Sequence, residues 1–218
     1  MKQNLILIAG LPGTGKTTTA SILIKNLDNY VLIDQNNLRR ESGMKRMPKN
    51  QDLILRKIDR DVAYNISLGK SVIVESGHRH GFRRQQLYGV ASAFGIDVIT
   101  LECICSEQLS KSRMIKRPIS DDLLSDPKDP DVYDRIEKLW EKIDEDFKFP
   151  GVNHVSHITF DTEKSEIIKK KIAKGTSLII KKIEKILLSN KIQQEIIQQK
   201  ESSQPLDSLH SPSQEQGL

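Results

Sequence analysis

Eight consecutive residues, Gly10-Leu11-Pro12-Gly13-Thr14-Gly15-Lys16-Thr17, have the types and spacing needed to hold a phosphate chain. They fit the phosphate-binding pattern G-x-x-x-x-G-K-[ST] at every fixed position. Glycines let the backbone wrap closely around phosphate oxygens, and successive N–H groups at a helix start aim positive dipole at them. Lys16 would reach the β- and γ-phosphates, the Thr17 hydroxyl would ligate Mg²⁺, and Thr18 continues the cradle. Four fixed positions arise by chance in roughly one chain in a hundred of this length. A strand before the loop and a helix after it make chance a still poorer account.

Other residues that suit chemistry on a phosphorylated ligand are spread along the chain. Asp34 and Glu75 each end an apolar run. Arg39 opens a stretch to Arg60 with eight basic residues against Glu41, Asp52 and Asp59. His78, Arg79, His80, Arg83 and Arg84 form a second basic cluster. Scattered Lys and Arg usually mark a solvated face, but these clusters fall near the edge where the loop sits, which suits an anionic acceptor. Arg113 and Arg117 are four apart and so share a helix face.

These residues are positioned by alternating strand and helix patterns. Leu5–Ala9 reads as a buried strand, and Thr17 to Leu27 as a helix with Ala20, Leu23, Ile24 and Leu27 on one face. Strands follow at Tyr30–Asp34, Ser71–Glu75, Asp97–Cys105 and Val155–Asp161. Helices are predicted at Asp52–Leu68, Arg83–Phe94, Glu107–Arg117 and from Asp131 to about Phe147. The alternation predicts an α/β, P-loop NTPase fold: a five-stranded parallel sheet with helices on both faces and the ligand at the carboxyl ends of the strands. The catalytic domain is expected over 1–161, with a proline- and aspartate-rich lid at about 113–130. Ile- and Lys-rich patterns at Ser165–Lys174 and Ser177–Lys200 predict a C-terminal helical extension over 162–200. The Ser-, Gln- and Pro-rich residues 201–218 read as a disordered tail.

Composition narrows the setting. The 218 residues carry a net charge of +5, with 37% hydrophobic and 29% charged residues, as expected of a soluble domain with a polar tail. The apolar runs are too short to span a membrane. The first strand begins almost at once, so no signal peptide is expected and a cytoplasmic location follows. Cys103 and Cys105 lie two apart on one strand; without a second pair they read as buried small apolar residues rather than zinc ligands. The stripe Ile179, Ile183, Ile186, Leu187, Ile192 and Ile196 either packs on the domain or joins a second copy of the chain as a homo-oligomer.

Phosphate loops serve many NTPases. A guanine-specific N-K-x-D signature is missing: the only Asn-Lys, Asn190-Lys191, continues Ile-Gln in a predicted helix. From Leu5 to Asp161 the chain resembles the small phosphate-loop kinases that include adenylylsulfate kinases, polynucleotide 5'-hydroxyl kinase domains and zeta-toxin-like kinases. The resemblance rests on the loop and on Asp34-Gln35-Asn36-Asn37-Leu38-Arg39, which stands where the group has Asp-x-Asp-x-x-Arg. It also rests on Glu75-Ser76-Gly77-His78-Arg79, on Arg113 and Arg117 as lid arginines, and on Ser125-Asp126-Pro127 with Tyr133. It implies ATP and Mg²⁺ as cofactors, Glu75 as a holder of Mg²⁺ through water, and Asp34, Asn36, Arg39, His78, Arg79 and Arg83 around the acceptor.

The group's second acidic position, often the base for the accepting hydroxyl, is Asn36 here, and an amide cannot take a proton at neutral pH. The base is then Asp34 or Glu75, or none is needed, because a loose phosphoryl-transfer transition state asks mainly for positioning and charge neutralisation. Asp34 also fits a helix N-cap ahead of Asn36-Asn37-Leu38. The expected activity is transfer of the γ-phosphate to a hydroxyl of a nucleotide-containing or polynucleotide-like acceptor, with nucleic acid as one partner that fits. A small-metabolite kinase, and a nucleotide-dependent switch engaging a partner through its C-terminal helix, are the alternatives.

Overall fold

A computed structural model of the protein describes residues 2–44, 48–117, 129–148 and 154–202. The first strand, β1 (Asn4–Ala9), is wholly buried, as a run of Leu and Ile with helices on both sides must be. It leads through the glycine loop into α1 (Lys16–Asn26). Next come β2 (Tyr30–Asp34), α2 (Gln35–Glu41), α3 (Pro48–Ser67) and β3 (Ser71–Glu75). They are followed by α4 (Gly81–Ala93), β4 (Asp97–Ile104) and α5 (Glu107–Ile115). Beyond these lie α6 (Asp131–Glu137), a 3₁₀ turn at Ile143–Lys148, β5 (Val155–Asp161), β6 (Glu166–Lys171) and α7 (Ser177–Ser202).

The sheet has six strands in the order β2-β3-β1-β4-β5-β6 rather than the five expected. β1 to β5 run parallel, and β6 is antiparallel to β5. The added strand replaces the helix expected over Ser165–Lys174. The Asp161 carboxylate accepts from the N–H groups of Glu163 (2.9 Å) and Lys164 (3.0 Å), and Ser165 takes a left-handed φ of 53°. That turn returns the chain along β5, whose outer backbone groups would otherwise lack ladder partners. Pairing of those groups overrides the helix-like spacing of Ile and Lys. The helix expected from Asp131 to Phe147 is also interrupted, ending as α6 and resuming as the 3₁₀ turn.

Side chains alternate across the strands and build two cores. Leu5, Leu7, Val72, Val74 and Val98 pack under α3 and α4 with Ile54, Ile58, Val62 and Leu87. Ile6, Ile8, Ile73, Ile99, Leu101 and Cys103 pack under α1 and α7, with Ala20, Leu23, Ile180, Ile183 and Leu187. The N-terminal half of α7 is thus part of this domain's core. Cys103 is buried and Cys105 only half-buried. No described helix is long and apolar enough to cross a membrane. Ser125-Asp126-Pro127, most of the expected lid and nearly all of the expected tail lie outside the described residues.

Candidate active site

The loop between β1 and α1 is shaped by close backbone approach. A Cβ on Gly10 (φ 147°) would stand 2.4 Å from the Cys103 carbonyl oxygen, and one on Gly13 (φ 82°) 2.3 Å from that of Ser110. Neither position admits another residue without moving β4 or α5. Inside the loop the Leu11 carbonyl accepts from the Thr14 hydroxyl at 2.8 Å and from Lys16 Nζ at 2.7 Å. The Lys16 ammonium therefore folds back over the loop. Gly15 begins α1 in a left-handed conformation without a side-chain cap, which leaves the first N–H groups of the helix for a ligand. Thr17 and Thr18 are exposed at that helix start, while Leu11 and Pro12 are half-buried.

Asp34 and Glu75 stand opposite each other at the ends of β2 and β3. Ile33 and Val74 belong to the α3/α4 core, so alternation turns both carboxylates to the face that carries α1. Asp34 caps α2: its Oδ1 accepts from the N–H of Asn36 at 2.7 Å and of Asn37 at 3.1 Å. Both capping bonds engage Oδ1. Arg39 is 3% exposed and donates to the Gln51 side chain of α3. Glu75 is also 3% exposed, and both it and Lys16 act electrostatically on Cys103. Burial pushes the Cys103 thiol up to about 12, so it stays protonated.

Beyond β3 the backbone crosses the mouth of the site. Gly10 N–H donates to the Gly77 carbonyl at 3.4 Å, tying this turn to the phosphate loop. His78 follows with a left-handed φ of 48°, an uncommon conformation for a residue with a side chain. Its ring is 5% exposed, and neither nitrogen has a hydrogen-bond partner among the described residues; the Val74 backbone is close but outside hydrogen-bond geometry. Burial first, then the positive charge of Arg83, holds the imidazole pKa down to about 3. His78 is therefore neutral at physiological pH. Arg79 lies at the surface and donates from Nε to His80 Nε2 at 2.9 Å.

The basic cluster after β3 divides into different environments. Arg83 donates to Asp59 Oδ2 (2.7 Å) and to the Leu55 carbonyl (3.1 Å), clamping α4 to α3. Arg84 is fully buried and forms a bidentate pair with Asp146, Nε to Oδ2 at 2.6 Å and Nη2 to Oδ1 at 2.7 Å. Its Nη1 donates to the His78 carbonyl at 2.7 Å, so one guanidinium joins the turn after β3 to the 3₁₀ turn. Glu141 supports the same junction: its carboxylate accepts from Gly81 N–H at 2.7 Å and faces His80 Nδ1 at 2.9 Å. The His80 contact, aided by the Gly81 N–H, holds the Glu141 carboxyl below the usual range. The Glu141 N–H also donates to the Arg79 carbonyl at 2.9 Å, drawing 138–142 off the helical path. That explains the interruption after α6.

On the other flank of the loop, Arg113 Nη1 donates to the Thr162 hydroxyl at 3.1 Å and approaches the Gly13 carbonyl at 3.4 Å. Thr162 in turn donates to the Thr14 carbonyl at 3.0 Å. The loop is thus braced by α5 and by the turn between β5 and β6. Arg117 follows α5 and is half-buried. The structure brings the loop, Asp34, Glu75, His78 and Arg113 to one edge of the sheet and diverts Arg83 to a helix clamp.

Residues 5–132 match the AAA domain family. The chain belongs to that family. No curated protein sequence matches it. Among solved structures, a putative kinase from Chloroflexus aurantiacus is similar at TM-score 0.57 and 15% identity, over 75% of this chain and 91% of that one. A sugar kinase from Janibacter sp. is similar at TM-score 0.51 and 16% identity, over 74% and 86%. A chain of the Pnkp1/Rnl/Hen1 RNA repair complex is similar at TM-score 0.55 and 17% identity, over 67% of this chain; the match spans 46% of the longer protein. The shared architecture is the P-loop kinase fold.

Two parts of this edge had weak signals in the sequence. Arg84 reads as one more surface cation in a basic run, and only the fold reveals it as a buried strut. Glu102, a lone acid within the apolar strand Val98–Cys105, is the more visible anomaly, and it faces a cavity beside the loop.

Proposed function

We propose that the protein is a kinase that transfers the γ-phosphate of ATP, with Mg²⁺, to a hydroxyl of a nucleotide-containing or polynucleotide-like acceptor. The observation that carries this reading is the placement of Asp34 and Glu75 side by side on the α1 face, next to the end of the strand that leads into the phosphate loop. Lys16 and the open N–H groups of α1 would neutralise the transferring phosphoryl group, and Arg113 would add charge from the opposite flank. Asp34 Oδ2 is the group suited to orient or deprotonate the acceptor hydroxyl, since Asn36 cannot.

The donor set fits Mg²⁺, a hard cation that takes oxygen ligands and keeps several waters. Thr17 would supply a hydroxyl and Glu75 a carboxylate, with nucleotide phosphates completing the shell. When bound, the ion supplies charge neutralisation of the phosphates. The exposed cations Arg56, Arg60 and Arg79 add positive charge that suits an anionic acceptor.

Incubation with γ-labelled ATP and a panel of acceptors tests the proposal. The panel holds a 5'-hydroxyl oligonucleotide, a nucleoside diphosphate sugar and a free sugar. Label is expected on a nucleotide-containing member. Label on the free sugar alone would assign a small-metabolite kinase, and label wholly in free phosphate would leave a nucleotide switch.

A further inference from the structure

A cavity of about 180 Å³ adjoins the phosphate loop on the flank away from Asp34 and Glu75. It is bounded by Gly10 and Leu11 of the loop, by Glu102 and Cys105 near the end of β4, and by Tyr133 and Trp140 beyond α5. Glu102 is opposite Ala9 on one side and Thr159 on the other. Thr100, two residues earlier, contacts Tyr88 of α4 at 2.9 Å, so alternation puts Glu102 on the α4 face and away from the Asp34/Glu75 face.

The chemistry of the lining is one-sided. Glu102 Oε2 faces His157 Nε2 at 3.0 Å and accepts from the Thr159 hydroxyl at 3.2 Å. Its Oε1 has no hydrogen-bond partner among the described residues, although the side chain is only 17% exposed. Among the described residues, none that lines the cavity is Lys, Arg or His, in a chain whose net charge is +5. Two aromatic rings complete the wall. Lys111 already stands 5.6 Å from the Tyr133 ring centre, and it is held there by Glu107 and Asp134, each at 2.6 Å. A carboxylate in a cavity that two aromatic residues also line attracts a cation and repels phosphate. The volume suits a single small group rather than a nucleotide.

We infer that this cavity binds an organic ammonium group beside the phosphate loop, with Glu102 as counter-ion and Trp140 and Tyr133 as its aromatic walls. The group belongs either to the phosphate acceptor or to a separate effector, and both sources share the same recognition. The binding step does not depend on the kinase reading.

Trp140 is the single tryptophan of the chain, so its emission reports directly on the cavity. The full chain, without nucleotide, is titrated with choline and with 3,3-dimethylbutan-1-ol, a neutral molecule of matching shape. Choline is expected to give a saturable change at concentrations at least roughly tenfold below those the alcohol needs. Glu102→Gln is expected to remove that preference. Superimposed titrations, or no response to choline, would overturn the inference; this wild-type comparison decides even if the variant folds poorly, since Glu102 also holds His157 and Thr159. Adding γ-labelled ATP separates the sources. Label on choline marks the ammonium as part of an acceptor, and an altered rate of free phosphate release marks an effector. The absence of both changes would overturn a link between the cavity and phosphate-loop chemistry.

Discussion

Asp34 and Lys16, near the β2–β3–β1 end of the sheet edge, bond to local backbone: Asp34 caps its own helix and Lys16 folds onto the Leu11 carbonyl. Under the 3₁₀ turn, near β4 and β5, polar groups instead bond to one another over long sequence separations. Arg84 pairs with Asp146, whose Oδ2 also accepts from the Tyr88 hydroxyl at 2.9 Å. His157 lies between Glu102 at 3.0 Å and Asp144 at 3.3 Å. A local bond to backbone can be exchanged for a bond to substrate at small cost. A buried charge pair cannot, because each partner left alone bears its full desolvation penalty. The first region thus keeps groups that a ligand can engage, and in the second the Arg84–Asp146 pair holds the frame.

Substitutions should separate the two regions by what each one damages. Asp146→Ala strands the fully buried Arg84 and is expected to lower stability by about 3–5 kcal/mol, measured by urea unfolding. The double replacement Arg84→Met with Asp146→Leu should recover much of that loss, because a buried pair costs nearly as much to desolvate as it returns. If the double variant is no more stable than the single one, the pair is not the strut described. Lys16→Ala should do the reverse. Its unfolding midpoint should stay within about 0.5 kcal/mol of wild type, while phosphoryl transfer falls by roughly 10²–10³-fold, the usual cost of removing one charge-stabilising donor. Retained turnover would remove Lys16 from the chemistry.

His78 gives a smaller, pH-dependent contrast. Its folded pKa of about 3 lies below the unfolded value of about 6.5. The unfolded chain therefore binds the extra proton first as pH falls. The stability carried by the neutral ring is whole above pH 6.5 and is lost progressively as pH drops toward 3, by roughly 3 kcal/mol between pH 7 and pH 4. His78→Gln should flatten that part of the profile relative to wild type. Unfolding midpoints that fall in parallel between pH 7 and pH 4 would show that the ring is not held neutral. The smallest effect is expected at Asp34. Loss of its cap in Asp34→Ala should cost about 1 kcal/mol, whereas Asp34→Asn, which still accepts from backbone N–H, should keep that stability. If Asn also keeps turnover, Asp34 is a cap alone; if turnover collapses while stability holds, Oδ2 is the acceptor's partner.

Legibility followed the range of the interactions. The strand–loop–helix order around Gly10–Thr17, the parallel sheet and the carboxylates ending β2 and β3 were readable because periodicity, glycine spacing and strand ends are local properties. Strand β6 was not, because its identity comes from the open edge of β5 and a turn built on Asp161. The break between α6 and the 3₁₀ turn was not either, since it follows from Glu141 bonding near residues some 60 positions earlier. The basic run from His78 to Arg84 shows the limit most clearly. Its members look alike in sequence, yet one is an exposed cation, one a helix clamp and one a buried strut.

The chain by itself determined where the phosphate-loop motif lies and at which end of which strands it stands, because those instructions lie within a few residues of one another. Only the tertiary structure decided which charges remain for a ligand. That depends on where each side chain meets its partner: Arg84 meets Asp146 and is sealed, while Glu102 meets His157 and still lines a cavity. Burial assigns those fates, and burial is a property of the packed molecule.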